Sequence, residues 1–320
     1  MSFGLQAASA YGRAFEGAAK LCPVYILVRQ TNLESLQYNG DPRFVAKRLL
    51  SASFCRVALA LLVALLGARP AAAQMPFYTD DPGVTAAGTV HIEASDEFDA
   101  LQSMQYPDLR QNTATLRINA GLPYGLEFDI DAPYITIARS SESSNSRGVG
   151  DTNLGLKWKI RDASADSHLP GFAVSFYTEF PTGNSRQKLG SGLTDYWLNF
   201  ITQLPTSDVT RLNLNLGILF AGNTSTGVIG IDTTRGHVYA GGISLLHDVS
   251  SRFTLGGEIY GGISDSSGLH RTQLQALLGA QYAISDGVNL CLGITAGTFT
   301  ASPRLGALIG IAVDFPHSFH

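Results

Sequence analysis

The chain is poor in cysteine, nearly free of basic clusters, and without an apolar stretch long enough to cross a bilayer as a helix. It has three cysteines in 320 residues. Cys22 and Cys55 lie before residue 74, which leaves Cys291 alone in the rest, so no internal disulfide staples that part. The core must be held by packing and strand pairing. The longest apolar run, Val57–Gly67, falls well short of the ~20 residues of a spanning helix. Beyond residue 73 the chain carries 14 of its 22 lysines and arginines and 23 of its 26 acids, a formal charge of −9. The single basic run is Lys157-Trp158-Lys159-Ile160-Arg161. Nucleic-acid binders show a basic patch or stripe, so no nucleic-acid partner is expected. Phosphate-loop and metal-finger spacings are missing too, and no cofactor or metal is expected.

The apolar run is short for an anchor but fits an export signal. Arg43, Lys47 and Arg48 precede it, and Ala71-Ala72-Ala73 before Gln74 forms a small-residue cleavage site. These are the parts of a secretory signal peptide, placed at 43–73. Residues 1–42 are then an extension or a mis-assigned start. The remaining divisions are an N-terminal segment at 74–87 on the periplasmic side, a β-domain at 88–315 and a C-terminal overhang at 316–320.

From residue 88 onward the period is two. Leu154, Leu156, Trp158 and Ile160 alternate with Asn153, Gly155, Lys157 and Lys159; Leu212, Leu214, Leu216 and Ile218 alternate with Arg211, Asn213, Asn215 and Gly217. This pattern marks strands with one apolar face. It places them at 88–98, 111–121, 126–138, 149–161, 169–180, 194–205, 209–221, 236–247, 253–264, 270–284, 288–300 and 304–315. Alternation alone does not tell a soluble sandwich from a membrane barrel. Strand length does, since many reach 11 to 14 residues and ~9–11 cross a bilayer at a tilt. The face opposite the apolar one is persistently polar, as a wet lumen requires, and through most of the chain long polar connections alternate with shorter turns. The fold class expected is all-β, a transmembrane antiparallel barrel of about twelve strands.

Three groups of residues carry a family resemblance: Met75-Pro76-Phe77-Tyr78-Thr79-Asp80-Asp81-Pro82; Gly148-Val149-Gly150-Asp151-Thr152-Asn153; and Phe180-Pro181-Thr182-Gly183-Asn184 with Gly190-Ser191-Gly192-Leu193-Thr194-Asp195-Tyr196. In this order and spacing they resemble the outer-membrane family named for the meta-pathway of phenol degradation. The resemblance implies an outer-membrane β-barrel that passes small hydrophobic or aromatic molecules. Its partners would be outer-membrane lipid, the barrel-assembly machinery and the solute. It assigns no catalytic residues.

By strand parity Glu127, Asp129, Asp131, Lys157, Lys159, Glu179, Arg211 and Glu258 face the lumen, either as a cross-paired wall or as a constriction that sorts solutes by charge. Asp80, Asp81, Gly148, Gly150, Asp151 and Asp195 are expected at the rim or in the motifs. Asp151 can bond neighbouring backbone N–H groups or join a rim carboxylate ring. Thr79-Asp80-Asp81-Pro82 reads first as a turn and second as a plug inside the barrel. Aromatics such as Phe128, Tyr134, Trp158, Phe176, Tyr196, Phe200 and Phe220 fall on the apolar parity, as lipid-facing anchors. The scattered histidines His91, His168, His237, His247 and His270 form no compact triad, so no enzyme is expected. A non-conducting structural or adhesive barrel is the alternative function, and a barrel phospholipase a more distant one.

Overall fold

Side-chain alternation forces each strand to present one face to oil and one to water, and closing the sheet satisfies every ladder hydrogen bond within the protein. The computed structural model describes residues 75–221, 236–265 and 272–316; the expected signal peptide, the segment before it and residues 317–320 lie outside these. The strands are β1 (Thr89–Ala100), β2 (Asp108–Leu122), β3 (Leu126–Arg139), β4 (Ser146–Val149), β5 (Thr152–Arg161), β6 (Gly171–Phe180), β7 (Asp195–Ser207), β8 (Thr210–Ala221), β9 (Gly236–Ser250), β10 (Phe253–Ser264), β11 (Gln273–Ser285), β12 (Val288–Thr298) and β13 (Leu305–Pro316). Neighbours pair antiparallel around a ring, closed by β1 against β13 from Thr89↔Pro316 to Ala100↔Leu305.

Thirteen strands make twelve staves, because β4 and β5 share one edge of β3. β5 pairs with Leu126–Asp131 and β4 with Tyr134–Ile137, and the register slips by one residue between them. The expected continuous strand at 149–161 is therefore broken at Gly150-Asp151. Pro133 opposite the break has no N–H to give a ladder, and its carbonyl accepts instead from the Gly150 N–H at 2.9 Å.

The apolar parity points outward. Leu216 is 70 % exposed, and Trp158, Phe200, Ile259, Ile294 and Ile309 are each more than half exposed. A closed sheet with an apolar exterior and a polar interior spans a membrane. No helix among the described residues is long and apolar enough to do so. The seven aromatics expected as lipid-facing anchors are all on the outer surface. The turns at 123–125, 208–209, 251–252 and 286–287 lie at the end of the barrel where β1 begins and β13 finishes, and so does the longer turn at 162–170, folded on itself by the Ser164↔Leu169 bridge.

Candidate functional site: a twice-narrowed lumen

The segment before β1 is inside the barrel. Its sequence has no period that could join the sheet, and instead its backbone polar groups are satisfied by wall side chains. The Glu258 carboxylate accepts from the Tyr78 N–H at 3.2 Å and the Thr79 N–H at 2.5 Å. Gln281 Nε2 donates to the Met75 carbonyl at 2.5 Å. With its amide turned to suit both partners, Asn215 accepts from the Asp80 N–H at 2.7 Å and donates to the Asp80 carbonyl at 2.9 Å. Lys157 Nζ meets Asp80 Oδ1 at 2.7 Å, and Glu127 accepts from the Thr85 N–H. The wall is thinned to admit the segment: a Cβ at Gly256 would overlap the Phe77 ring. Met75, Phe77, Thr79 and Asp80 are all buried. The periplasmic position expected for 74–87, and the turn expected at Thr79–Pro82, give way to the plug. An isolated turn would leave these amides to water, whereas the wall offers charged acceptors, and hydrogen bonds to charged groups are stronger.

The plug divides the lumen. On one side a cavity of about 350 Å³ is lined by Tyr78 and Asp80 of the plug and by Tyr177, Trp197, Asn199 and Tyr260 of the wall. On the other, toward the short turns, a cavity of about 400 Å³ is lined by Phe77, Thr79, Arg211 and Arg252 among others. In the first, the Tyr177 hydroxyl donates to Asp129 Oδ2 at 2.8 Å, and Arg117 Nε lies 2.7 Å from Asp131 Oδ1. Burial pushes the Asp80 carboxyl up to about 6 despite the Lys157 ammonium, which pulls it down, and Asp81 and Glu127 add to the rise.

A second narrowing is at the opposite mouth. Residues 181–194, between β6 and β7, turn inward, and Leu189 packs with Leu101, Ile135 and Ile137. Asp151, at the break between β4 and β5, accepts from the Gly183 N–H at 2.8 Å and the Ser191 N–H at 2.5 Å. Asp108 binds Lys188 Nζ at 2.6 Å and also pairs with Arg139. Gly190 lies against the Asp151 carboxylate where any Cβ would overlap it. The motifs around Gly148, Gly150 and Asp151 and around Gly183 and Ser191 thus meet in one latch. Asp151 is 1 % exposed, so it does not form a rim ring, and the amides it binds lie 32 and 40 residues away rather than beside it.

The parity residues are not one group. Asp131 and Glu179 line the first cavity with Asp80, and Arg211 lines the second. Glu127, Lys157 and Glu258 hold the plug, while Lys159 binds Asp162 at 2.8 Å near a turn. Asp81 accepts from the Gly83 N–H at 2.7 Å, and Asp195 is buried at the start of β7. Sequence reasoning passed over Tyr177 and Trp197, although each shares parity with polar neighbours, Glu179 and Asn199. Among the described residues no group of three or more His, Cys, Asp or Glu is placed to hold a metal.

Fold and site together define a plugged transmembrane β-barrel. Residues 79–315 match the model of the family described as "Putative MetA-pathway of phenol degradation", and the chain belongs to that family. Among solved structures, the COG4313 outer membrane channel from Pseudomonas putida F1 is similar at 13 % identity and TM-score 0.53, over 76 % of this chain and 100 % of that one. The KdgM porin in complex with disordered oligogalacturonate aligns at 12 % identity and TM-score 0.46, over 72 % of this chain and 99 % of that one. The CymD monoaromatic hydrocarbon channel aligns at 8 % identity and TM-score 0.41, over 80 % and 99 %. No curated protein sequence matches the chain.

Proposed function

We propose that the protein is an outer-membrane channel or facilitator for small hydrophobic or aromatic molecules. The observation that carries this is the cavity of about 350 Å³ where Tyr78, Tyr177, Trp197 and Tyr260 supply ring faces. Flat aromatic faces suit a ring-shaped solute, since offset or edge-on ring pairs add to area burial. The asparagines beside them give such a solute hydrogen-bond partners in transit. Membership of the family is the second support. Passage rather than catalysis is the role assigned to the lumen, with lipid around the barrel and the barrel-assembly machinery as the insertion partner.

A non-conducting or adhesive barrel is the second reading. One observation favours it: the lumen is narrowed twice, by the plug and by the latched loop. Single-channel recording and liposome swelling with phenol-sized solutes separate the two readings, comparing the native protein with a variant lacking residues 75–84. A native barrel that conducts, and a deletion that conducts more, support the channel. A barrel silent in both forms, yet folded by heat-modifiable mobility, refutes it.

A further inference from the structure

At the long-loop end of the barrel, exposed arginines stand at the ends of alternate strands. Arg110 of β2 pairs with Ala100 of β1 on one side and with Ala138 of β3 on the other. Arg147 of β4 pairs with Thr136, two residues before Ala138 on β3. Arg304 immediately precedes β13, and its N–H donates to the Ala100 carbonyl at 2.8 Å. Across β13, β1, β2, β3 and β4 the rim thus reads Arg304, Ala100, Arg110, Ala138, Arg147, with each arginine exposed. Arg110 and Arg147 share the outward parity of Leu116 and Val149, both exposed on the lipid face.

None of these arginines makes an ion pair among the described residues. The acids around them are engaged elsewhere. Asp108 is buried and binds Arg139 and Lys188, and Glu142 accepts from the Tyr106 hydroxyl at 3.1 Å. Asp96, on the outer face of β1, accepts from Asn112 Nδ2 at 2.5 Å; it lies four residues below Ala100, about 13 Å along the strand. The charge belongs to one sector. At the same end of β6–β9 the outer surface is carried by Phe180, Tyr196, Phe220 and Tyr239, and the one arginine or lysine among the described residues of those strands, Arg211, is at the opposite end.

A charged side chain at the edge of the apolar band calls for a counter-charge there. The protein brings none, so the surroundings must. Guanidinium is weakly hydrated and its planar fork matches phosphate oxygens with two parallel bonds. Neighbouring strands lie ~4.8 Å apart, so arginines two strands apart stand about 10–12 Å from each other. Only alanine fills the strand end between them, which leaves room for an anion that both reach. Below the arginines, Phe98, Leu116, Tyr134 and Val149 offer apolar surface. A cationic step above an apolar wall fits an anionic amphiphile, with its head on the arginines and its tails on the strands.

We infer that Arg304, Arg110 and Arg147 form a binding site for the phosphorylated headgroup of an outer-leaflet lipid, whose acyl chains lie against the strand faces below. The site depends on the long loops facing outward, and not on whether the lumen conducts. A free phosphate would use the arginines alone, whereas the lipid uses the apolar face as well.

The test is native mass spectrometry of the full-length protein in detergent, titrated with diphosphoryl lipid A and separately with a diacylglycerol, then repeated with R110Q/R147Q/R304Q. Heat-modifiable mobility checks that the variant barrel forms. R161Q, at an exposed arginine of the opposite end, controls for lost charge. The native protein should retain diphosphoryl lipid A in preference to diacylglycerol and keep it against equimolar inorganic phosphate. Affinity should fall roughly tenfold or more in the triple variant and stay unchanged in R161Q. Equal retention of diacylglycerol, an affinity unchanged in the triple variant, or an equal loss in R161Q each overturns the inference. Displacement by equimolar inorganic phosphate overturns it too, and identifies an ion site without a lipid.

Discussion

Asp151 Oδ2 accepts a hydrogen bond from the Ser191 N–H at 2.5 Å, and Asp151 Oδ1 one from the Gly183 N–H at 2.8 Å. One carboxylate at a break in the wall thereby holds both ends of the inward-folded loop. Asp151→Ala leaves two amides without their charged acceptor, at a cost of about 2–3 kcal/mol. Trypsin cleavage at Arg186 and Lys188 in outer-membrane vesicles should then be faster by roughly tenfold or more. Asp151→Asn, which keeps one acceptor oxygen, should fall between. Equal cleavage rates in all three proteins would dismiss the latch.

The plug should respond to pH through Asp80. Burial raises its carboxyl to about 6 from an ordinary 3.8, more than Lys157 lowers it. The seated segment therefore binds this proton more tightly than a free one does. Seating gains fully below the ordinary value, and that gain is lost as the pH rises through the raised one. Conductance should accordingly increase between pH 3.8 and about 6 and then level off, and Asp80→Asn should flatten the profile. A profile of opposite slope would mean that the Lys157 pair, not desolvation, governs seating.

Gly155 lies under the Tyr177 ring, and a Cβ there would overlap it. Gly155→Ala should push the ring off its bond to Asp129 and into the cavity, with overpacking costing about 1–3 kcal/mol. Solute flux should fall in liposome swelling. Tyr177→Ala in the same background should restore it; failure to restore would show that the lost flux comes from general damage to the wall.

Leu216 and Asn199 sit on paired strands but on opposite faces: Leu216 pairs with Phe200 outside, and Asn199 lines the cavity. An Arg on the lipid face costs about 2–4 kcal/mol at mid-bilayer. Leu216→Arg should lower the temperature at which heat-modifiable mobility is lost, whereas Asn199→Arg, facing water, should change it little. Equal sensitivity would contradict the assigned orientation.

The staves were legible because each strand repeats the same choice every second residue; the bounds expected for 253–264 match β10, and the rest fall within three residues of the observed ends. The break at Gly150-Asp151 was hidden, since alternation continues on both sides and only Pro133, on the neighbouring strand, marks it. The plug was legible only as the second reading of Thr79–Pro82, for another reason. Met75–Pro82 has no period, and its partners Glu258 and Gln281 lie about 180 and 206 residues away. Asp151 was expected to bond backbone N–H groups beside it in the chain, whereas the amides it holds, at Gly183 and Ser191, lie 32 and 40 residues on and come near only through folding.

The plug also dictates an order of assembly. Its seat is built from Asn215, Glu258 and Gln281, on strands made long after it, and the cradle at Gly256 exists only once β9, β10 and β11 are side by side. The segment synthesised before every strand therefore cannot take its seat until the strands that receive it lie side by side.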